Sequence, residues 1–248
     1  MLDKFEYIRK ECKICGGKGH KFSDNRIFRG QSEDLEAIQC VCIKKMANYA
    51  KYDAANIPRE YWDLSLEHFK ESSPEKKILR DRVMGITSDI QDYARQGRGM
   101  LMWGNRGTGK TMLSIEILKA AARAGYSVYY DFYPVVFNEY MKKSFSTEKA
   151  KARYEEIFAT TDFVVLDELG KERDYFNTSM GDSNEISKNF LEMNILKKRA
   201  SKPTVMITNL QGGMEDIRGL YGDYVHSVMS HNFDIVPFMD GDFREGGV

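Results

Sequence analysis

Residues 99–111 read Gly99 Met100 Leu101 Met102 Trp103 Gly104 Asn105 Arg106 Gly107 Thr108 Gly109 Lys110 Thr111, and a helical pattern (Met112, Leu113, Ile115, Ile117, Leu118) follows at once. An apolar run thus enters a glycine-rich loop of the form GxxxxGK[ST], the order strand, phosphate loop, helix. Gly104 and Gly109 allow backbone turns closed to other residues, so that loop N–H groups can face an anionic phosphate. Those donors and the positive end of the following helix make an anion site. Gly104, Asn105, Arg106, Gly107, Thr108, Gly109, Lys110 and Thr111 are therefore the expected nucleotide cradle. Lys110 would reach the β- and γ-phosphates, and the Thr111 hydroxyl would complete the shell of a Mg²⁺ ion.

Phe163 Val164 Val165 Leu166 Asp167 Glu168 is apolar up to two adjacent carboxylates. Strands buried on both faces look like this, and ligands collect at their carboxyl ends. Asp167 is expected to hold the Mg²⁺ through its water shell, and Glu168 to orient and deprotonate the attacking water. Pro203–Asn209 (PTVMITN) reads as a further strand, with Asn209 at its end to sense the γ-phosphate or the water. Together with Lys110, these are the expected catalytic residues. Strands are also expected at Ser127–Phe132 and Phe233–Phe238, and helices at 135–143, 147–158, 185–199, 214–221 and 223–230. Four or five parallel strands with intervening helices give an α/β, doubly wound sheet. The chain ends within ten residues of Phe238, so no C-terminal helical lid is expected. A P-loop kinase acting on a small molecule fits poorly with the Asp-Glu pair, the Asn209 strand and the missing lid.

Thirty-seven basic and 37 acidic residues cancel, so no overall field steers the chain to nucleic acid. Any DNA contact must be local. Lys142, Lys143 and Phe145 form a basic and aromatic cluster that can grip a single strand by charge and stacking, and it reads equally as an exposed helix end. With no apolar run long enough for a membrane span and no signal-peptide core, a cytoplasmic protein is expected.

All four cysteines lie between residues 12 and 42. Cys12 and Cys15 form a CxxC followed by Gly16 and Gly17, and Cys40 and Cys42 form a CxC. Four thiolates satisfy a closed tetrahedral Zn²⁺ site of the structural kind; His20 could replace one of them, and four buried free thiols are the bland alternative. A module this small could hardly fold on its own core, so metal would supply much of its stability. After it, a helix through Met46, Tyr49 and Ala50 ends before Ile57 Pro58. A second helix is expected from Ser73 or Pro74 to about Gln96, with Ile78, Leu79, Val83, Ile86, Ile90 and Tyr93 on one face. The expected division is a zinc module at 1–55, a linker at 56–75 and a nucleotide-binding core at 76–248.

Taken in order, CKICGGKG with a later CVC, NIPREYWDLSLEHF, GNRGTGKT, VVLDELG, ITNL and the closing GDFR resemble the DnaC/DnaI-type AAA+ helicase loaders, with the transposition ATPase IstB as a near relative. The resemblance implies ATP as ligand, Lys110 and Thr111 as the Walker A pair, Asp167 and Glu168 as the Walker B pair, and Asn209 as first sensor. It implies as partners a hexameric replicative helicase of DnaB type, held through the N-terminal module, single-stranded DNA, and self-assembly on the helicase. One segment departs. Loaders of this family carry a stretch similar to YG(D/E)RxxSR whose last arginine reaches a neighbour's ATP, and here Tyr224 and Val228 fill both arginine positions. Slow hydrolysis is expected unless Arg218 or Arg244 supplies the charge, which keeps open a nucleotide-binding adaptor, of phage or bacterial origin, that recruits or sequesters a helicase. An IstB-like transposition role is disfavoured by the cysteine module.

Overall fold

The structure, a computed structural model, describes residues 2–29, 32–141, 145–172 and 183–239. It divides into two units, Met1–Ala54 and Ala55–Val248. In the first unit a short helix α1 (Glu6–Lys10) is followed by an antiparallel hairpin of β1 (His20–Arg29) and β2 (Ser32–Gln39), then α2 (Val41–Ala54). The periodicity after Cys42 anticipates α2. It does not anticipate the hairpin, whose strands carry charged residues on both alternations in place of an apolar face. Among the described side chains, Phe5 sets its ring edge against Tyr49 at 6.1 Å, and Met46, Ala50 and Tyr52 are buried along α2.

The second unit opens with α3 (Pro74–Ser88) and α4 (Ile90–Gln96). Sequence periodicity predicts one helix here, but Asp89, at φ −128° and ψ 59°, breaks it and then caps α4 by accepting from the Asp92 N–H at 3.1 Å. Ile78, expected on the buried face, is 67% exposed, while Val83, Ile90 and Tyr93 are buried. Then come β3 (Gly99–Gly104), α5 (Lys110–Ala124), β4 (Val128–Phe132), α6 (Tyr133–Met141), α7 (Phe145–Thr160), β5 (Phe163–Leu169), α8 (Ser183–Phe190), β6 (Thr204–Thr208), α9 (Met214–Asn232) and β7 (Phe233–Phe238). The helix expected over 185–199 widens from α8 into π-helical turns at Leu191–Leu196. Gly222, at φ 82° and ψ 176°, kinks α9 at the gap that the pattern leaves between residues 221 and 223.

All five strands of this unit are parallel, in the order β4-β5-β6-β3-β7. Met100, Leu101 and Met102 of β3 and every residue of β6 are buried, as helices covering both faces require. Leu113, Ile115, Ile117 and Ala121 of α5 are fully buried, which makes it the central helix. On the core formed with α6, α8 and α9, Tyr133, Phe137 and Phe190 interlock as an aromatic cluster.

Residues 56–75, expected as a linker, are built into this unit. The Tyr130 N–H donates to the Ala55 carbonyl at 2.9 Å, and the Asn56 side chain donates to the Tyr130 carbonyl at 3.0 Å, which together cover the edge of β4. Trp62 is buried and its Nε1 donates to the Ile57 carbonyl at 2.8 Å. Lys119 of α5 donates to the Tyr61 carbonyl at 2.9 Å.

Buried Arg199 ties three segments of this unit together. Its guanidinium donates to Phe158, Thr161, Asp162 and Pro203 carbonyls and to Thr204 Oγ1 at 2.7–3.2 Å. Replacing Arg199 with Met would strand several buried acceptors, each worth about 1–3 kcal/mol. A clear drop in the urea midpoint of unfolding is the expected outcome, and a midpoint equal to that of the parent would refute this role.

Candidate functional site

The phosphate loop is fixed from behind before any ligand is considered. Gly104 has φ +122°, and a Cβ there would lie 2.3 Å from the Phe238 carbonyl oxygen at the end of β7. Only glycine fits. The Asn105 N–H donates to that same carbonyl at 2.9 Å, its side chain donates to the Met239 carbonyl at 2.7 Å, and Thr108 Oγ1 closes the loop on the Asn105 carbonyl at 2.9 Å. Gly109 then takes φ +91° as the residue before the first turn of α5. The loop is therefore preorganised, with the helix N-terminus facing the cleft.

Lys110 is buried and donates from Nζ to the Gly104 carbonyl at 2.9 Å and to the Asn105 carbonyl. Burial, only partly offset by the Asp167 carboxylate, lowers its pKa to about 8. An incoming phosphate would offer this ammonium the opposite charge that the loop carbonyls only approximate. Thr111 Oγ1 donates to Asp167 Oδ2 at 2.7 Å, joining α5 to the end of β5. A hydroxyl and a carboxylate held in contact are hard oxygen donors of the kind Mg²⁺ takes, so the donor set fits that ion.

β5 changes course where its carboxylates begin. Pairing with β6 shifts register between Leu166 and Leu169, and Glu168 sits at φ +62°, a left-handed conformation costly for a residue with a Cβ. The Glu168 N–H donates to Asp167 Oδ1 at 2.7 Å, and a tight turn follows in which the Lys171 N–H donates to the Glu168 carbonyl at 3.1 Å. Lys171 Nζ also forms an ion pair with Glu168 Oε1. Buried Glu172 anchors this turn, accepting from the Gly170 N–H at 2.9 Å, Ser187 Oγ at 2.7 Å and the Tyr221 hydroxyl at 2.5 Å.

These groups surround a cleft of about 560 Å³ that Arg106, Gly107, Thr108, Gly109, Lys110, Thr111, Asp167, Glu168 and Asn209 all help to line. That volume suits a nucleotide-sized ligand. Gly104 and Asn105 stand behind the cleft and supply the carbonyls on Lys110. Sequence reasoning missed other parts of the lining: Tyr130 and Phe132, which share one face of β4, Lys171, and Tyr61, His68 and Phe69 from the stretch at 56–75. The period-2 pattern of SVYYDF held the signal for Tyr130.

In the first unit Cys12, Cys15, Cys40 and Cys42 carry free thiols whose sulfur atoms all lie within 4.8 Å of one another. Cys12 to Cys40 and Cys15 to Cys42 measure 3.7 Å between sulfurs. Tetrahedral zinc thiolates, with Zn–S near 2.3 Å, put sulfurs about 3.8 Å apart. The donors fit that ion. The Gly19 N–H points at Cys15 Sγ from 3.3 Å, the second contact expected around such a ligand. His20, weighed as a substitute ligand, is outside the group and packs its ring edge on Phe22 at 5.8 Å. Of the expected DNA-contact cluster, Lys142 and Lys143 lie outside the described residues, and Phe145 is described only as the first residue of α7. Arg244 also lies outside them. No helix among the described residues is long and apolar enough to cross a membrane.

Residues 65–227 match the family described as IstB-like ATP binding protein. Comparison with curated proteins by sequence finds no match. Among solved structures, the DnaC helicase loader superposes with a TM-score of 0.57 at 18% identity, covering 73% of this chain and 99% of that one. DnaI gives 0.54 at 16% identity, covering 75% and 93%. The replication initiator DnaA bound to AMPPCP and single-stranded DNA gives 0.51 at 17% identity, covering 74% and 51%. At these identities the likeness is one of fold, and the fold is that of an AAA+ P-loop NTPase.

The sulfur geometry predicts close to one tightly held divalent metal per purified chain, measured by elemental analysis. Cys40→Ala should abolish it and expose residues 1–54 to limited proteolysis. A Cys40→Ala chain that retains metal at the parent's level would rule the site out.

Proposed function

The chain belongs to the family of IstB-like ATP binding proteins, and on that premise we propose that it is an ATP-dependent loader of a hexameric, DnaB-type replicative helicase onto single-stranded DNA. The observation that carries the ATP reading is the Thr111 to Asp167 contact, which places magnesium donors beside Lys110 and Glu168 in one cleft. In this reading loop N–H groups and Lys110 hold the phosphates, Thr111 and Asp167 hold Mg²⁺, Asn209 reports the γ-phosphate, and Glu168 takes a proton from water. The cation supplies charge neutralisation across the phosphates when bound.

The helicase partner is proposed from the union of this core with a separate four-cysteine unit, Met1–Ala54, whose ligand is proposed to be Zn²⁺. The unit carries Leu2, Tyr7, Ile14, Phe22 and Val41 exposed, apolar surface suited to a protein partner. The likeness in fold to the DnaC helicase loader is in keeping with this, as is the likeness to a DnaA bound to single-stranded DNA. DNA contact through the stretch at 142–145 and self-assembly on the helicase are parts of the same proposal.

Two observations favour a second reading, an adaptor that binds ATP and scarcely uses it. Lys171 is paired with Glu168, a pairing that opposes a base role. Neither expected finger position offers a guanidinium: Tyr224 is exposed and Val228 packs against the core. Arg218 is exposed and donates from Nε to Asp223 at 2.6 Å. Turnover of the purified chain alone should accordingly fall below ~1 s⁻¹, the lower end of ordinary enzyme rates. Turnover near that value, unaffected by Arg218→Ala and Arg244→Ala, would show that the missing finger is of no consequence.

Helicase loading onto single-stranded DNA separates the two readings. Lys110→Ala is expected to lose ATP binding and loading together, while Glu168→Gln keeps ATP and loses loading. Full loading by Glu168→Gln would favour the adaptor. A pull-down of replicative helicase should fail when residues 1–55 are removed, and retained binding would move the partner surface onto the ATPase core.

A further inference from the structure

Tyr130 has no part in the site as its motifs describe it, yet its hydroxyl donates to Asp167 Oδ2 at 3.1 Å. That is the oxygen that also accepts from Thr111 Oγ1 at 2.7 Å, while Oδ1 accepts the Glu168 N–H at 2.7 Å. The carboxylate is 4% exposed and Tyr130 is 1% exposed, so both are withdrawn from bulk water. With three donors converging on it, Asp167 has little freedom to turn its oxygens away from the cleft that it lines.

The donor is itself held in place. Tyr130 lies on β4, the edge strand of the sheet, where the Ala55 carbonyl takes its N–H and the Asn56 side chain takes its carbonyl. Asn56 adopts φ +59° to reach it. Strand register sets Phe132 opposite Asp167 and Tyr130 opposite Val165, so the phenol reaches the carboxylate along the sheet face from two positions back.

We propose that Tyr130 is a positioning residue for the cation site: its hydroxyl orients Asp167 so that the carboxylate, with Thr111, accepts the Mg²⁺ of a nucleoside triphosphate complex. This rests on the nucleotide-site reading above. A donor that fixes a carboxylate beside a metal acts on metal affinity through orientation, and losing such a partner typically costs about 10–100-fold in affinity. A hydroxyl that merely satisfied a buried acceptor would affect stability and leave the metal dependence of nucleotide binding alone.

Tyr130→Phe removes the hydroxyl and keeps the ring that packs edge-on against Phe132. ATP binding to the full-length chain is measured by calorimetry across a Mg²⁺ titration, from excess chelator upward, at a temperature below the melting transition of every variant. Tyr130→Phe is expected to need about tenfold more Mg²⁺ for half-maximal binding, with the metal-free affinity for ATP within about twofold of the parent. In an Asp167→Ala background the same change should have no further effect, because its route to the cation is gone. A Tyr130→Phe chain whose Mg²⁺ dependence matches the parent's overturns the positioning role, as does an undiminished effect in the Asp167→Ala background. A parent chain that fails to bind ATP, or binds it without regard to Mg²⁺, overturns the nucleotide-site reading and this role together.

Discussion

The contact between Thr111 and Asp167 joins two elements that are not neighbours. Thr111 lies in the first turn of the helix after β3 and Asp167 near the end of β5, and β6 lies between those strands in the sheet. Their side chains meet only because β6 is in register with both: Met206 lies opposite Leu101 on one side and Leu166 on the other. The buried residues of β6 therefore do more than fill the core. They set the separation of the phosphate loop and its acidic partner, and a slip of one residue would turn the alternating side chains to the opposite face.

Around that contact the chain spends backbone strain where the chemistry lies. Glu168 is held at positive φ by the tight turn after β5, by the Gly170 N–H on Glu172, and by the bonds from Ser187 and Tyr221 that fix Glu172 in turn. A residue in the left-handed region relaxes unless its surroundings over-determine it, and here a buried carboxylate does so. The same network links the turn to α8 and to the residue before the kink of α9.

The N-terminal unit solves a different problem. Its hairpin is rich in charge and its apolar core among the described side chains is slight, so side-chain burial gives a unit of this size little to fold on. Four sulfurs at a spacing suited to one tetrahedral ion bring the loop after α1 and the start of α2 to one point, where a bound ion would supply what the core lacks.

Much of this was legible in the amino-acid order. The phosphate loop, the Asp-Glu strand end, Asn209 and the cysteine pairs are written in short spacings, because each depends on backbone geometry within a few residues. The parallel strands were legible for a related reason: a strand buried on both faces must be apolar throughout, as residues 163–166 are. What required the folded chain was everything set by contact between distant segments. The polar ribbon at 20–39 carries no apolar alternation to announce it, and the break at Asp89 falls inside an unbroken helical pattern. The role of 56–75 as a cleft wall, the strain at Glu168 and the reach of Tyr130 to Asp167 arise from strand register and packing. These depend on which segments become neighbours, a relation that spacing along the chain does not encode.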